Sequence, residues 1–185
     1  EQIPEAISDS LEGLDRVAKI VRAMKDFSHP GEQQMSSTDI NKAIESTVTV
    51  AKNEWKYVAD MALNLDPSLP SIPCFAADFN QVVLNIIVNA SHAIADALKV
   101  TKQAKGAISV TTSTRDGCVE VRIADTGTGI PEQHRNKLFE PFFTTKPVGK
   151  GTGQGHAIAR PVIVDKHHGT LTFEPEKGKG TTFII

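Results

Sequence analysis

Two glycine-rich turns place the tightest limit on how this chain folds. Asp125-Thr126-Gly127-Thr128-Gly129-Ile130 follows a strand-like run, and Gly151-Thr152-Gly153-Gln154-Gly155 comes shortly after it. Glycine lets main-chain N–H groups approach a phosphate or a ring without a Cβ in the way, and it tolerates positive φ. A fold that keeps both turns must bring a strand end and a helix start around one ligand. A nucleotide suits such a pair. Neither turn is a mononucleotide P-loop, because Gly149-Lys150-Gly151 and Gly178-Lys179-Gly180 put glycine where Ser or Thr should follow the lysine. The G-x-G-x-x-G dinucleotide pattern fails as well, since its last position falls on Gln154 or His156. Asp78-Phe79-Asn80 and His134-Arg135-Asn136 only superficially echo the metal and catalytic-loop motifs of eukaryotic-type protein kinases.

Hydrophobic periodicity supplies the elements around these turns. Residues 3 to 27 carry Ile7, Leu11, Leu14, Ala18 and Val21 at 4-3-4-3 spacing, with Val17, Ile20, Met24 and Phe27 beside them. That heptad pattern predicts a long helix that needs a helical partner in a bundle. His29-Pro30-Gly31 ends it, and a polar linker runs to about Ser37. A helix is expected from near Asp39, capped by Thr38 or Asp39, to about Lys52, followed by a strand over Val58 to Leu65. Pro67, Pro70 and Pro73 force an extended connection into a second long helix, Asp78 to about Leu98. Ile108 to Thr114 and Cys118 to Ala124 read as strands joined at Asp116-Gly117, a hairpin signal. A short helix near Pro131 to Leu138, another from about Gly153, and two strands after Gly169 joined by Glu176 to Lys179 complete the pattern. Helices with mostly antiparallel strands predict a two-layer α/β sandwich.

Composition narrows the partners. Twenty basic against 22 acidic residues, net charge −2, give no field that gathers nucleic acid or anionic membrane. No apolar run approaches the roughly 18 residues of a membrane span, and the first residues do not read as a signal peptide, so a cytosolic segment is expected. Cys74 and Cys118 lack zinc-site spacing and are expected to be buried, reduced thiols. Glu1 and the terminal run Phe183-Ile184-Ile185 read as the ends of a piece of something longer.

On the second long helix, Gln81, Asn85 and Asn89 stand four apart on one face, with His92 a turn further, while Val82, Val83, Ile86, Ile87, Ala90 and Ile94 fill the other. Asparagine is a poor helix former, so two of them in register point to work for neutral carbonyl oxygens, such as holding Mg²⁺ beside phosphate oxygens. An ordinary surface stripe is the plainer alternative. Asp78-x-x-Gln81 resembles a capping box, which would account for Gln81. Asp125 ends a strand in which Val119, Val121 and Ile123 point inward and Glu120 and Arg122 outward. There a carboxylate either shapes the turn or accepts from an exocyclic amine, which separates adenine from guanine. Gly127 and Gly129 let the backbone run flat against a base. The helix opening near Gly153 aims free N–H groups at an anion. Residues 144 to 151 read as a lid whose Lys146 and Lys150 either reach phosphates or are simply solvated.

Together these residues resemble the catalytic, ATP-binding domain of a two-component sensor histidine kinase, within the GHKL or Bergerat-fold ATPases. Gln81-Val82-Val83-Leu84-Asn85-Ile86-Ile87-Val88-Asn89-Ala90 resembles the asparagine box, Asp125 to Ile130 the first glycine box, Phe139 to Lys146 the phenylalanine box and Gly151 to Gly155 the second glycine box. The resemblance implies a Bergerat-type sandwich over 35–185, preceded in 1–34 by the second helix of a dimerisation and phosphotransfer hairpin and its linker. It implies ATP and Mg²⁺, with Asp125 on the adenine amine and Asn85 and Asn89 on the metal and phosphates. His92, Gly127, Gly129 and Lys146 join the nucleotide site, Gly151, Thr152, Gly153 and Gly155 meet the phosphates, and Thr181 lies on the adenine side. A response regulator and a second copy, through the leading helix, are the implied partners, with no nucleic acid and no membrane contact by this segment.

The departures from the family pattern are specific. None of His29, His92, His134, His156, His167 and His168 stands in a His-Glu context on a helix before the linker, so the phosphoacceptor is expected outside this chain. His156 replaces a leucine, Pro161 falls inside a helix, and His168 stands where a second glycine is expected before Gly169. An interior proline can cost about 3 kcal/mol, so either the helix bends or the domain is impaired. Another ATPase of the group, such as a mitochondrial-type dehydrogenase kinase or a chaperone, is disfavoured by the phenylalanine box and heptad helix. A non-catalytic dimerisation and regulatory module rests on His156 and Pro161 alone.

Overall fold

The computed structural model describes residues 34–101, 104–140, 155–176 and 178–185. The heptad helix, the linker before residue 34, and Lys146, Lys150, Gly151, Thr152 and Gly153 lie outside the described residues, as does the side chain of His156.

Helix α1, Ile40–Val50, begins where the Asp39 carboxylate accepts the Lys42 N–H at 3.1 Å. Of the two expected caps, Asp39 is therefore the one used. Its buried residues Ile40, Ala43, Ile44, Thr47 and Val48 recur at helical spacing and face the core. A single turn, α2, Lys52–Trp55, follows, and the Trp55 indole N–H closes the pair by donating to the Val48 carbonyl at 3.2 Å. Two short strands were not legible from the pattern. Ser36–Thr38 (β1), at the end of the expected linker, pairs antiparallel with Ile72–Cys74 (β3) in the proline-rich connection. Pro73 is tolerated because this two-stranded ladder is all edge.

Strand β2, Ala59–Asn64, is separated from β4, Gly106–Arg115, by helix α3, Ala76–Thr101. The two strands run parallel, within an expected sheet of mostly antiparallel strands. A parallel pair needs a long crossover, and α3 is that crossover. β4 turns into β5, Cys118–Asp125, through Asp116 (φ 52°) and Gly117 (φ 79°). Two positive φ values define the hairpin turn whose twist matches the strands it joins. Cys118 lies just past this tip and is exposed, whereas Cys74 is buried. The expectation of two buried thiols therefore holds for one. After the short helix α4, Glu132–Arg135, come α5, Gly155–Arg160, and the hairpin β6, Thr172–Glu176, with β7, Gly180–Ile184. The five-stranded order is β2-β4-β5-β7-β6, antiparallel after the first pair.

The core lies between this sheet and the helices. Val82, Val83, Ile86, Ile87 and Ile94 of α3 meet Ile108, Val110, Val121, Ile123 and Phe183 of the sheet, with Ile40 and Ile44 from α1. Each fully buried aliphatic side chain contributes roughly 1.5–3 kcal/mol. By length and composition alone α3 would pass for a membrane span, but here its apolar arc forms the centre of this core. A polar knot pins the loop after β2: Asn41 donates to the Asp66 carbonyl at 2.7 Å, and Thr112 donates to Asn41 at 2.9 Å. The Thr112 hydroxyl in turn accepts the Asp66 N–H at 2.9 Å.

Pro161 neither ends nor breaks the helix it interrupts. The chain widens at that residue into a π-helical stretch, Pro161–Lys166, continuous with α5. Proline cannot donate to the Ala157 carbonyl and its ring crowds it, and the wider turn relieves both problems. The His167 N–H donates to the Val162 carbonyl at 3.1 Å, a five-residue step, and the Gly169 N–H closes on Ile163 at 2.8 Å. Between them His168 takes φ 56°, the left-handed conformation that a glycine would adopt without strain. Placing glycine at His168 should therefore stabilise the domain by about 1 kcal/mol. In thermal unfolding that is a rise of about 2–4 °C in Tm, and an unchanged or lower Tm would show that the His168 side chain compensates for its backbone.

Candidate active site

Gln81, Asn85, Asn89 and Ala93 succeed one another by single turns along α3, on the arc that the core leaves uncovered. The Gln81 amide N–H donates to Asn85 Oδ1 at 3.1 Å, which orients the Asn85 amide. Helix α3 starts at Ala76, so Asp78 is in its first turn and does not cap it. The expected capping box is not formed, because Phe75 supplies the first carbonyl, accepting the Phe79 N–H at 3.0 Å. Gln81 instead belongs with the amide face. Asn85, Asn89 and His92 are half-buried along it.

The first glycine turn is seated directly on this face. A Cβ at Gly127 would come within 2.6 Å of the Ala93 Cβ and 2.7 Å of its carbonyl carbon. Only glycine fits, and one helical turn separates that contact from Asn89. Asp125, at the rim of β5, bends back so that its Oδ1 accepts the Gly127 N–H at 2.7 Å. Across the sheet it pairs with Thr181, itself buried, whose N–H also donates to the carboxylate. Burial outweighs these two hydrogen bonds and pushes the Asp125 carboxyl up to about 6. Such a group holds a directional acceptor in a poorly hydrated pocket. Gly129 takes φ 69°, which turns the chain away past the rim.

Two residues that shape the glycine turn escaped the sequence analysis. Gly180 has φ 121°, and a Cβ there would fall 1.7 Å from the Asp125 carbonyl oxygen. This glycine lets β7 come close enough for Thr181 to reach Asp125. Its place immediately before Thr181 was the available signal. Thr126 locks the other side of the turn, accepting the Ala107 N–H at 2.9 Å through its hydroxyl and donating its own N–H to the Ala107 carbonyl at 3.1 Å. The Gly178 N–H reaches the Thr128 carbonyl at 3.1 Å, so the β6–β7 turn braces the glycine turn as well.

The structure thus seats Asp125, Gly127 and Thr181 at the β5–β7 rim against Ala93 of α3, with His92 beside Ala93, Asn89 and Asn85 one and two turns back along the same face, and Gly129 beyond the turn. Gly155 opens α5, which packs against α3.

A long amide-faced helix under a mixed sheet, with a carboxylate at the strand end, defines a two-layer ATPase domain. The chain belongs to the family described as histidine kinase-, DNA gyrase B-, and HSP90-like ATPase, whose model matches residues 76–185, and within it to the ATPase domains of sensor histidine kinases. It is 31% identical over 183 residues to the signal transduction histidine-protein kinase AtoS of Escherichia coli (strain K12), covering 98% of this chain and 28% of that protein. It is 30% identical over 172 residues to the sensor histidine kinase ZraS of the same strain, covering 92% of this chain and 35% of that protein. The catalytic domain of histidine kinase ThkA superposes with a TM-score of 0.68 at 28% identity, covering 81% of this chain and 92% of that one. The chain therefore spans about a third of the length of these curated relatives.

The raised Asp125 group has a consequence for stability. Its folded-state value of about 6 lies above the ordinary 3.8, so between those limits the folded chain holds a proton that the unfolded chain has lost. This contribution is fully present below about pH 4 and is lost as pH rises to about 6, up to about 3 kcal/mol. Urea unfolding across pH 4–7 should show wild-type stability falling relative to Asp125→Asn by that order. Parallel curves for the two chains would contradict the burial argument.

Proposed function

We propose that residues 35–185 bind Mg-ATP with the adenine amine on Asp125 and the base laid along Gly127 and Gly129 near Thr181. The phosphates then extend past Asn85, Asn89 and His92 towards residues 151–155 and Lys146. The observation that carries this reading is the seating of Gly127 on the α3 amide face, one turn from Asn89, with the Asp125 carboxylate held at the same point. A buried carboxylate can accept from adenine's amine, whereas guanine would present a carbonyl to it. A divalent ion would neutralise phosphate charge there, with Asn89, and Asn85 behind it, offering neutral amide oxygens and the nucleotide supplying the rest.

In the longer protein, the γ-phosphoryl would pass to a histidine outside these residues and then to an aspartate of a response regulator. The bond from Pγ to the bridging oxygen breaks as a P–N bond to the imidazole forms, and ADP leaves. The domain's part in that step is to position the nucleotide and neutralise charge. A homodimer joined through the 1–34 segment and a cytoplasmic site for this domain belong to the same proposal. The non-catalytic alternative loses one of its two supports, because the π-helical stretch accommodates Pro161.

Calorimetric titration tests the assignment. ATP or ADP should bind more tightly than GTP by about 1–3 kcal/mol, the cost of leaving a buried acceptor unpaired. In the same assay Asn89→Ala should remove most of the magnesium-dependent part of the affinity, while Gln81→Ala leaves most of it. Equal GTP affinity would refute the role of Asp125, and an unaffected Asn89→Ala chain would refute the metal assignment.

A further inference from the structure

The helical segment Gly155–Lys166 begins at the last glycine of the second cluster and ends against the entry of α3. Its far end is fixed by a compact group of side chains. His167 Nδ1 lies 2.7 Å from the Val162 carbonyl oxygen, and its Nε2 lies 3.0 Å from the Phe75 N–H donor and 3.4 Å from Cys74 Sγ. A carbonyl only accepts and a backbone N–H only donates, so Nδ1 must carry the proton and Nε2 must be bare. The geometry therefore assigns a neutral Nδ1–H imidazole, since a second proton on Nε2 would face the Phe75 N–H. Phe75 is the residue whose carbonyl opens α3, so its own N–H has no helical partner and the imidazole supplies one.

Around this bridge the ring of Phe75 meets His167 edge-on at 5.4 Å, Lys166 pairs with Asp78, and the Lys166 ammonium sits 4.3 Å from the Phe75 ring centre. Every one of these contacts joins the end of the Gly155–Lys166 segment to the first turn of α3. Pro161 has removed a hydrogen bond from the middle of that segment. The terminal latch and the packing of the segment along α3 together set its register and angle.

We propose that His167 is a positioning residue for the nucleotide site. It holds the Gly155 end of one helix and the Asn85–Asn89 face of another in a single arrangement. The inference rests on the nucleotide reading above. Misplacing a binding element by a fraction of an ångström to an ångström weakens binding without touching the ligand. His167→Ala should therefore lower ATP affinity about tenfold or more, at a temperature where the variant is folded. Thr112→Val, which breaks the polar knot of the β2 loop away from the latch, should leave affinity unchanged while lowering stability.

Three measurements decide it. Long-range ¹H–¹⁵N correlation spectra of the wild-type chain should show the His167 signal, identified by its loss in His167→Ala, with a protonated Nδ1 and a bare Nε2. The opposite tautomer overturns the proposal. Titration should place His167→Ala well below both wild type and Thr112→Val, and equal affinity in all three, or an equal loss in both variants, also overturns it. If His167→Ala does not fold, Lys166→Met tests the solvent-facing half of the same latch: weaker ATP binding supports the proposal and unchanged binding overturns it. A wild-type chain that binds no ATP would instead refute the nucleotide reading, and the tautomer would still stand or fall independently.

Discussion

A Cβ on Gly127 would stand 2.6 Å from the Cβ of Ala93, closer than two carbons can pack, and that contact fixes the height of the β5 rim above α3. The apolar arc of α3 settles the same relation from below, through Val83, Ile87 and Ile94 against Ile108, Val110 and Ile123. One helix thus carries the core on one side and the amide face on the other. The distance between strand end and amide row follows from this packing. A site built in this way is preorganised by the same burial that stabilises the domain.

Asp125 shows the cost of that arrangement. A carboxylate at the rim could have been solvated, yet Gly180 draws β7 against it and Thr181 covers it. The N–H groups of Gly127 and Thr181 offset part of the desolvation, and the remainder pushes the carboxyl upward. A more stable domain would place a neutral side chain there. The carboxylate comes at the expense of stability, a trade that fits the adenine contact proposed for it.

Much of this was legible in the sequence because its elements repeat a period. The hydrophobic alternation around Val121 and Ile123, the turn at Asp116-Gly117, and the Gln81–Asn85–Asn89 register each encode a local structure directly. What stayed hidden depends on distant partners. The β1–β3 ladder is made by three-residue strands too short to show alternation, and the parallel β2–β4 pairing is a property of the crossover. Gly180 matters only because of what lies across the ladder from it. Pro161 was read correctly as a missing hydrogen bond, but local rules do not say whether a helix answers by bending or by widening. His167 stands beside a residue with an unusual backbone angle, which draws attention away from its own side chain.

The parallel pairing of β2 with β4 has a consequence for how the domain is made. α3 must already be in place as the crossover before the ladder from Ala59 to Gly106 can close, and the strands that cover its apolar arc, β4, β5 and β7, all follow it in the chain. During synthesis, among the described residues, this long apolar helix emerges before the strands β4, β5 and β7 that cover its apolar arc. Contacts between segments far apart in sequence form slowly. The element most responsible for the finished core is therefore also the greatest aggregation hazard in the nascent chain, until the last strand has emerged.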